Sequence, residues 1–273
     1  LYRMRELGER QDIRELDAII GGGISKRHGI VLAKSVPAKK YGIVTGEPVA
    51  QALRKCPDLK MFLPDHKMYA EYSERLMEFL LTYTPDIEQV SVDECYMDFT
   101  GIAHQFYSPI AAAFEIKDAI RKKFGFTVNI GISVNRLLAK MASDFEKPDK
   151  VHTLFPNEIP LKMWPLPIRE LYMAGSSSVE VLRKLEIRTI GELAKTDPKL
   201  LELHLKSHGR TLWEFANGID NHKVVRERVE SKGIGNSITL PKDLTKEDEA
   251  KPVLLWLSET VGGRLRQEEV KAG

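Results

Sequence analysis

Residues 89–100 read QVSVDECYMDFT, and the phase of that stretch decides the fold. Val90 and Val92 keep one phase of an extended strand, whereas Cys95, Met97 and Phe99 keep the other. The slip falls at Asp93–Glu94. A turn or bulge there accounts for it, and lets two neighbouring carboxylates converge instead of straddling a sheet. Pattern alone leaves two readings open. One is an exposed acidic hairpin tip; the other is a pair of hard oxygen donors gathered for a divalent cation, since an uncompensated like-charge pair is unfavourable. Asp98 returns to the Glu94 side if the strand resumes regularly, as a supporting acid.

Outward from this stretch, strands and helices alternate. AIIGGG (18–23) and GIVLAKS (29–35) read as strands, and 41–59 as a loop and short helix with Pro48 near its start. Met68, Tyr72, Leu76, Phe79 and Leu80 recur at helical spacing within 66–84. A helix over 108–125 stops at Gly125 with basic residues in its last turn, a strand follows at 126–133, and VNRLLAKMASDFEKPD (134–149) forms another helix closed by Pro148. This order predicts an α/β layer of sheet against helices. Beyond prolines 156, 160, 165 and 167 the strands cease, and 168–217 reads as a small all-helical unit. A polar linker (221–233) leads to one short strand and a helix beginning after Thr245, with Asp248 three residues beyond the cap. That last unit is too short to bury a core alone.

Composition narrows the function classes. The 273 residues carry a net charge of +2, 42% hydrophobic residues and two cysteines, Cys56 and Cys95. That excludes a disulfide framework, and no apolar run reaches the roughly 18 residues of a membrane span. The charged opening is no signal peptide, and the lack of Met at position 1 reads as a piece of something longer. Basic clusters recur at ISKRHG (24–29), AKKYG (38–42), IRKKFG (120–125) and RVESKG (228–233), as solvated faces or as a footprint for nucleic acid. GGG at 21–23 lacks any phosphate-loop or dinucleotide signature, and His204 and His208 lack the glutamate pattern of a zinc helix. Lys140 and Lys147, seven residues apart, and Lys34, Lys39 and Lys40 supply the positive charge that a triphosphate held by metals requires. WPLPIRELYMAGSSSVEVLRKLEIRTIGELAKTD (164–197) reads as a helix, a small-residue hairpin and a second helix with a glycine-terminated stop. It is either a packed helix pair or a set of N–H groups offered to a DNA phosphate.

Together these residues resemble the Y-family, DinB/UmuC-type lesion-bypass DNA polymerases. SVDECYMDFT is similar to that family's serine–hydrophobic–Asp–Glu–small–Tyr–hydrophobic–Asp signature. NIGISVNRLLAKMASDFEKPDK resembles its following strand–helix block, the 164–197 stretch its thumb, and KGIGNSITLPKDL the start of its C-terminal DNA-binding domain. The resemblance implies an α/β (α+β) palm with a mixed sheet, a small fingers domain, an all-helical thumb and a partial little finger. The boundaries it implies are fingers at 1–66 with a remnant of the N-terminal palm segment, palm at 67–154, thumb at 155–230, and a truncated little finger at 231–273.

The resemblance further implies template-directed, low-fidelity synthesis across damaged DNA by two-metal nucleotidyl transfer from a dNTP to a primer 3′-hydroxyl. Asp93 and Glu94 would hold Mg²⁺, two ions in the complete enzyme. Lys39 and Lys147 would contact the triphosphate, Ser91, Tyr96 and Asp98 would support the site, and Gly175, Ser176, Ser177 and Ser178 would meet DNA. Primer–template DNA and dNTP are the implied partners, with a sliding clamp engaged through regions outside this chain, no membrane, and a cytoplasmic location. The pattern departs from the family in three places. Residues 1–17 lack the opening Asp strand that carries the remaining metal ligand, Val36 stands where many members have tyrosine, and Met173 stands where the first hairpin glycine is usual. Impaired activity of this exact chain is therefore expected. The competing reading is a non-catalytic DNA-binding or regulatory relative of the same fold. A two-metal cyclase shares the palm logic but leaves the thumb motif unexplained.

Overall fold

A computed structural model describes residues 15–22, 29–226, 233–240 and 242–271. The opening segment, most of the basic 24–29 and 228–233 stretches, and the last residue of GGG lie outside them. The chain divides into two compact units, residues 1–69 with 229–273, and residues 70–228.

In the first unit β1 (Ala18–Gly21) lies between β2 (Val31–Lys34), antiparallel to it, and β3 (Lys60–Phe62), parallel to it. Before β3 comes α1 (Val49–Lys55), opened by Pro48. Three residues are too few to show alternation, which is why β3 leaves no trace in the sequence pattern. Ile19, Val31, Ala38, Ile43, Val49, Ala52, Cys56 and Leu59 form the core beneath this sheet.

α2 (His66–Leu80), most of which belongs to the second unit, precedes a hairpin of β4 (Ile87–Gln89) and β5 (Cys95–Met97), in register Ile87 to Met97, Glu88 to Tyr96 and Gln89 to Cys95. Next comes α3 (Pro109–Phe124). Ser108 caps it by accepting the Ala111 N–H, and Gly125 ends it in the left-handed region. Leu76 and Leu80 of α2 meet Ile87, Ile116, Ile120 and Phe124 in one core. A parallel pair follows, β6 (Ile130–Ile132) with β7 (Val151–Thr153), joined through α4 (Arg136–Asp144). Gly131 admits no side chain, because a Cβ there would lie 1.9 Å from the Ala139 carbonyl oxygen of α4. That close approach bolts α4 onto β6.

The expected strand at 126–133 thus shrinks to three residues, and the helix at 66–84 stops at Leu80. The helix expected over 134–149 ends at Asp144, with Phe145 as its C-cap. Pro148 is therefore not what closes it, and Lys147 lies beyond the helix, not two turns along one face from Lys140.

Past the prolines lie α5 (Ser176–Lys184), α6 (Ile190–Lys195), α7 (Pro198–Leu205) and α8 (Ser207–Ala216). Leu182, Ile190, Leu193, Leu201 and Leu212 share one buried core with Leu137, Leu138 and Met141 of α4. The first helix expected in 164–197 is a single 3₁₀ turn, Ile168–Glu170. Gly191 ends no helix: it lies within α6, where a Cβ would come within 2.9 Å of the Trp164 side chain. In 229–273 no strand forms among the described residues before α9 (Glu247–Gln267). The cap of α9 is Lys246, and it is Glu249, not Asp248, whose carboxylate accepts the Thr245 N–H.

Candidate active site

The Val90–Glu94 turn closes the β4–β5 hairpin, with the N–H groups of Val90 and Ser91 both donating to the Glu94 carbonyl at 2.9 and 3.2 Å. Val90 and Val92 are half exposed, so their apparent strand phase reports a turn, not a buried face. Within it the Ser91 hydroxyl donates to Asp93 Oδ1 at 2.8 Å and accepts the Asp93 N–H at 3.3 Å. Gln89 Nε2 in turn donates to the Ser91 carbonyl and to the Ser73 hydroxyl. The turn therefore fixes the direction of Asp93 and leaves its Oδ2 without a hydrogen bond among the described residues.

Glu94 is met from α4. Lys140 Nζ lies 2.5 Å from Glu94 Oε1 and 3.4 Å from Asp144, whose other oxygen lies 2.6 Å from Lys147 Nζ. Burial alone would lower the pKa of Lys140, but hydrogen bonding to Glu94 and the charges of Asp144 and Glu94 outweigh it and hold the ammonium above its ordinary value. Four side chains of alternating sign thus run from the hairpin tip to the segment after α4. Lys147 does not reach Glu94 directly; Lys140 does.

Other expected residues sort by position. Tyr96 is half buried on β5, with the Arg136 guanidinium 4.6 Å above its ring, while Arg136 also pairs with Glu88 at 2.9 Å. Asp98 is exposed and accepts the Thr100 N–H at 2.8 Å; the Thr100 hydroxyl and N–H together pull its carboxyl below the usual value. It stabilises a turn at the end of β5. In the first unit Lys39 is exposed on the 3₁₀ turn Pro37–Tyr41 and has no ion-pair partner among the described residues. Lys40 is engaged 3.3 Å from Asp17. Val36 is exposed.

In the helical region Gly175 caps α5, and Ser176, Ser177 and Ser178 form its first turn. Their N–H groups find no backbone acceptor among the described residues, as expected of a helix start. Arg169, Ala174, Ser176, Val179, Glu180 and Arg183 line a concave surface beside that turn. Met173 holds φ at +69°, a conformation that glycine adopts without cost. Position 173 therefore demands the glycine that the sequence lacks.

Asp93 Oδ2 and Glu94 Oε2 are hard oxygen donors, and their chemistry fits Mg²⁺. Among the described residues no three His, Cys, Asp or Glu side chains gather into a metal-holding group. The hairpin brings together two of the oxygen donors that such an ion would need. Arg136 was not singled out as a site residue by the sequence, and Lys140 was read there as a source of positive charge for a triphosphate, not as a partner of Glu94. The only signal for Lys140 was its seven-residue offset from Lys147, which does not choose between them.

A family model described as the impB/mucB/samB family matches residues 2–144. The chain belongs to this family. It is the Y-family, DinB/UmuC type that the hairpin motif resembles, and a second model, the family's C-terminal domain, matches residues 231–273. DNA polymerase IV of Clostridium acetobutylicum is 51% identical over 259 residues, 95% of this chain and 65% of that protein. DNA polymerase IV of Acetivibrio thermocellus is 38% identical over 95% of this chain and 66% of its own length. DNA polymerase IV 1 of Halalkalibacterium halodurans is 40% identical over 98% and 65%. The Y-family chain described here therefore spans about two thirds of the length of these relatives, slightly under that fraction. Among solved structures, the Y-family DNA polymerase chimera Dbh-Dpo4(243-245)-Dbh superposes with a TM-score of 0.82 at 24% identity, covering 96% of this chain and 76% of the chimera. DinB from Sulfolobus solfataricus gives 0.72 at 24% identity over 81% of this chain and 65% of its own. Both support the palm, fingers and thumb architecture. Among the described residues no helix is long and apolar enough to cross a membrane.

Proposed function

We propose that the protein carrying this chain is a template-directed DNA polymerase that copies damaged DNA with low fidelity, joining a dNTP to a primer 3′-hydroxyl with release of pyrophosphate. The observation that carries this is the Ser91–Glu94 turn, which presents two adjacent carboxylates beside a lysine of α4 in a chain of this family. In this reading residues 1–66 are fingers, 67–154 palm, 155–230 thumb and 231–273 the start of the little finger. Primer–template DNA and dNTP are the partners, a sliding clamp binds through regions outside this chain, and the protein works in the cytoplasm.

Asp93 Oδ2 and Glu94 Oε2 would hold Mg²⁺, with further ligation from outside the described carboxylates. Bound there, divalent ions supply neutralisation of phosphate charge and a more acidic primer hydroxyl. The chain's own residues do the positioning. Ser91 locks the Asp93 rotamer, and Arg136 on Tyr96 holds β5 against α4. Lys147 and Lys39, on separate exposed segments, offer ammonium groups to the triphosphate, whose charge spreads during phosphoryl transfer. The N–H groups of Ser176, Ser177 and Ser178 after Gly175 face a DNA phosphate without reading a base, and Asp98 keeps the strand end in place.

Primer extension by the protein carrying this chain tests the proposal. D93A and E94A should each abolish Mg²⁺-dependent incorporation while leaving DNA binding largely intact; substantial turnover by either variant contradicts the assignment. Because the described residues supply only two of the ligands, the 273-residue chain by itself should incorporate weakly. The engaged state of Glu94 favours one second reading, a DNA-binding relative without catalysis. Binding of primer–template with no incorporation by the full protein would decide for it.

A further inference from the structure

We infer that Lys140 is a built-in stand-in for the divalent cation at Glu94, and that Asp144 is the group onto which it withdraws when the cation binds. This rests on the reading of Asp93 and Glu94 as metal-holding residues. Three observations converge. Lys140 Nζ already occupies one Glu94 oxygen at 2.5 Å, with Asp144 waiting at 3.4 Å. The Lys140 side chain is only 17% exposed, while Glu94, Asp144 and Lys147 are 47%, 43% and 51% exposed, so the lysine sits inside a ring of more open partners. The backbone that carries it is fixed, by Gly131 against Ala139 on one side and by Arg136 against Tyr96 and Glu88 on the other. Only the side chain is left to move.

Charge arithmetic gives the direction. Asp93, Glu94 and Asp144 carry three negative charges against two from Lys140 and Lys147. Without metal the Lys140 ammonium offsets the repulsion between the adjacent acids of the turn. A divalent cation at Glu94 repels that ammonium, and its nearest alternative acceptor is Asp144. Asp144 then serves two lysines, which loosens its 2.6 Å contact with Lys147 and frees that ammonium for a phosphate. Cation arrival and triphosphate capture are thereby linked through one carboxylate.

Titration of the metal-free protein carrying this chain with Mn²⁺, followed by electron paramagnetic resonance without DNA or nucleotide, tests this. K140M removes the competing charge and should tighten Mn²⁺ binding about tenfold, whereas K140R, which keeps the charge, should bind as the parent does. K140M should also melt earlier than the parent without metal and recover with saturating Mn²⁺, a metal-dependent rescue that a purely structural lysine would not show. K140Q serves the same purpose if K140M fails to fold. Should K140M and K140Q bind Mn²⁺ no more tightly than the parent while E94Q weakens binding, the stand-in role is wrong and the metal site stands. Should E94Q leave Mn²⁺ binding unchanged, the metal-site reading falls and takes the inference with it.

Discussion

Two sets of ion pairs in residues 70–228 each join two basic and two acidic side chains, to opposite ends. Lys117, buried in α3, lies 2.7 Å from Asp118 and 3.4 Å from Asp149, while Arg121 reaches Asp149 at 2.9 Å. Asp149 is itself largely buried and holds φ at +62°, so these contacts pin an unfavourable backbone conformation just before β7. The Glu94–Lys140–Asp144–Lys147 set has no such closed pair at its centre: Asp118 and Arg121 are open, but Lys117 and Asp149 are only 8% and 18% exposed, whereas Lys140 faces two open carboxylates. Three of its four side chains are about half open, and each inner member has two partners to choose from. Closed pairs hold a fold because their loss strands a desolvated charge; open ones contribute little to stability and remain able to trade partners. The first set belongs to the scaffold and the second to the chemistry.

That contrast breaks if substitutions have crossed effects. The largest change is expected from D93A and E94A, with incorporation falling by about a thousandfold or more, as for loss of metal-organising groups, and a melting temperature close to the parent's. K117M should do the reverse. Leaving Asp149 without its buried partner should cost about 2 kcal/mol of stability, read from denaturant unfolding, with incorporation per folded molecule unchanged. K147M comes next: KM for dNTP should rise about tenfold, the cost of one charge-assisted phosphate contact, at unaltered melting temperature. A melting loss in E94A larger than that in K117M would erase the distinction between the two sets.

The smallest effect concerns pH and sharpens what counts as scaffold. Burial pushes the Asp220 carboxyl up, but hydrogen bonds from the His222 ring, the His222 N–H and the Leu137 N–H at the start of α4 outweigh it and hold it below its ordinary 3.8. A carboxyl depressed in the folded state contributes stability that is present above its unfolded value and lost as pH falls through the folded one. The parent should therefore lose more melting temperature than D220N between about pH 5 and pH 2, although D220N is the less stable at pH 7. Parallel acid profiles for the two proteins would show that Asp220 contributes nothing through its charge.

Elements with long periodicity were legible in the sequence. The apolar spacing of α2 and the Ser108 and Gly125 boundaries of α3 are local signals, and the structure uses each of them. The phase slip at Asp93–Glu94 located the irregularity, because a two-residue period can be broken only by a turn or a bulge, and the structure shows the turn. Three kinds of information were not legible. β3 is too short to carry a period. The end of α4 at Asp144 has no breaker within the helix, and Pro148 drew the boundary too far. The pairing of Glu94 with Lys140 spans 46 residues and depends on how Gly131 seats α4 against β6, a packing fact with no sequence period. Sequence reasoning found the acids and the lysines; it took the fold to show which lysine faces which acid.

Manganese anomalous scattering from crystals of the protein carrying this chain, grown with primer–template DNA and a non-hydrolysable dNTP, tests the central claim most directly. The account predicts anomalous peaks within coordination distance of Asp93 and Glu94, with Lys140 turned to Asp144 and Lys147 against the triphosphate. Anomalous peaks that avoid both carboxylates, with Lys140 still on Glu94, would contradict it.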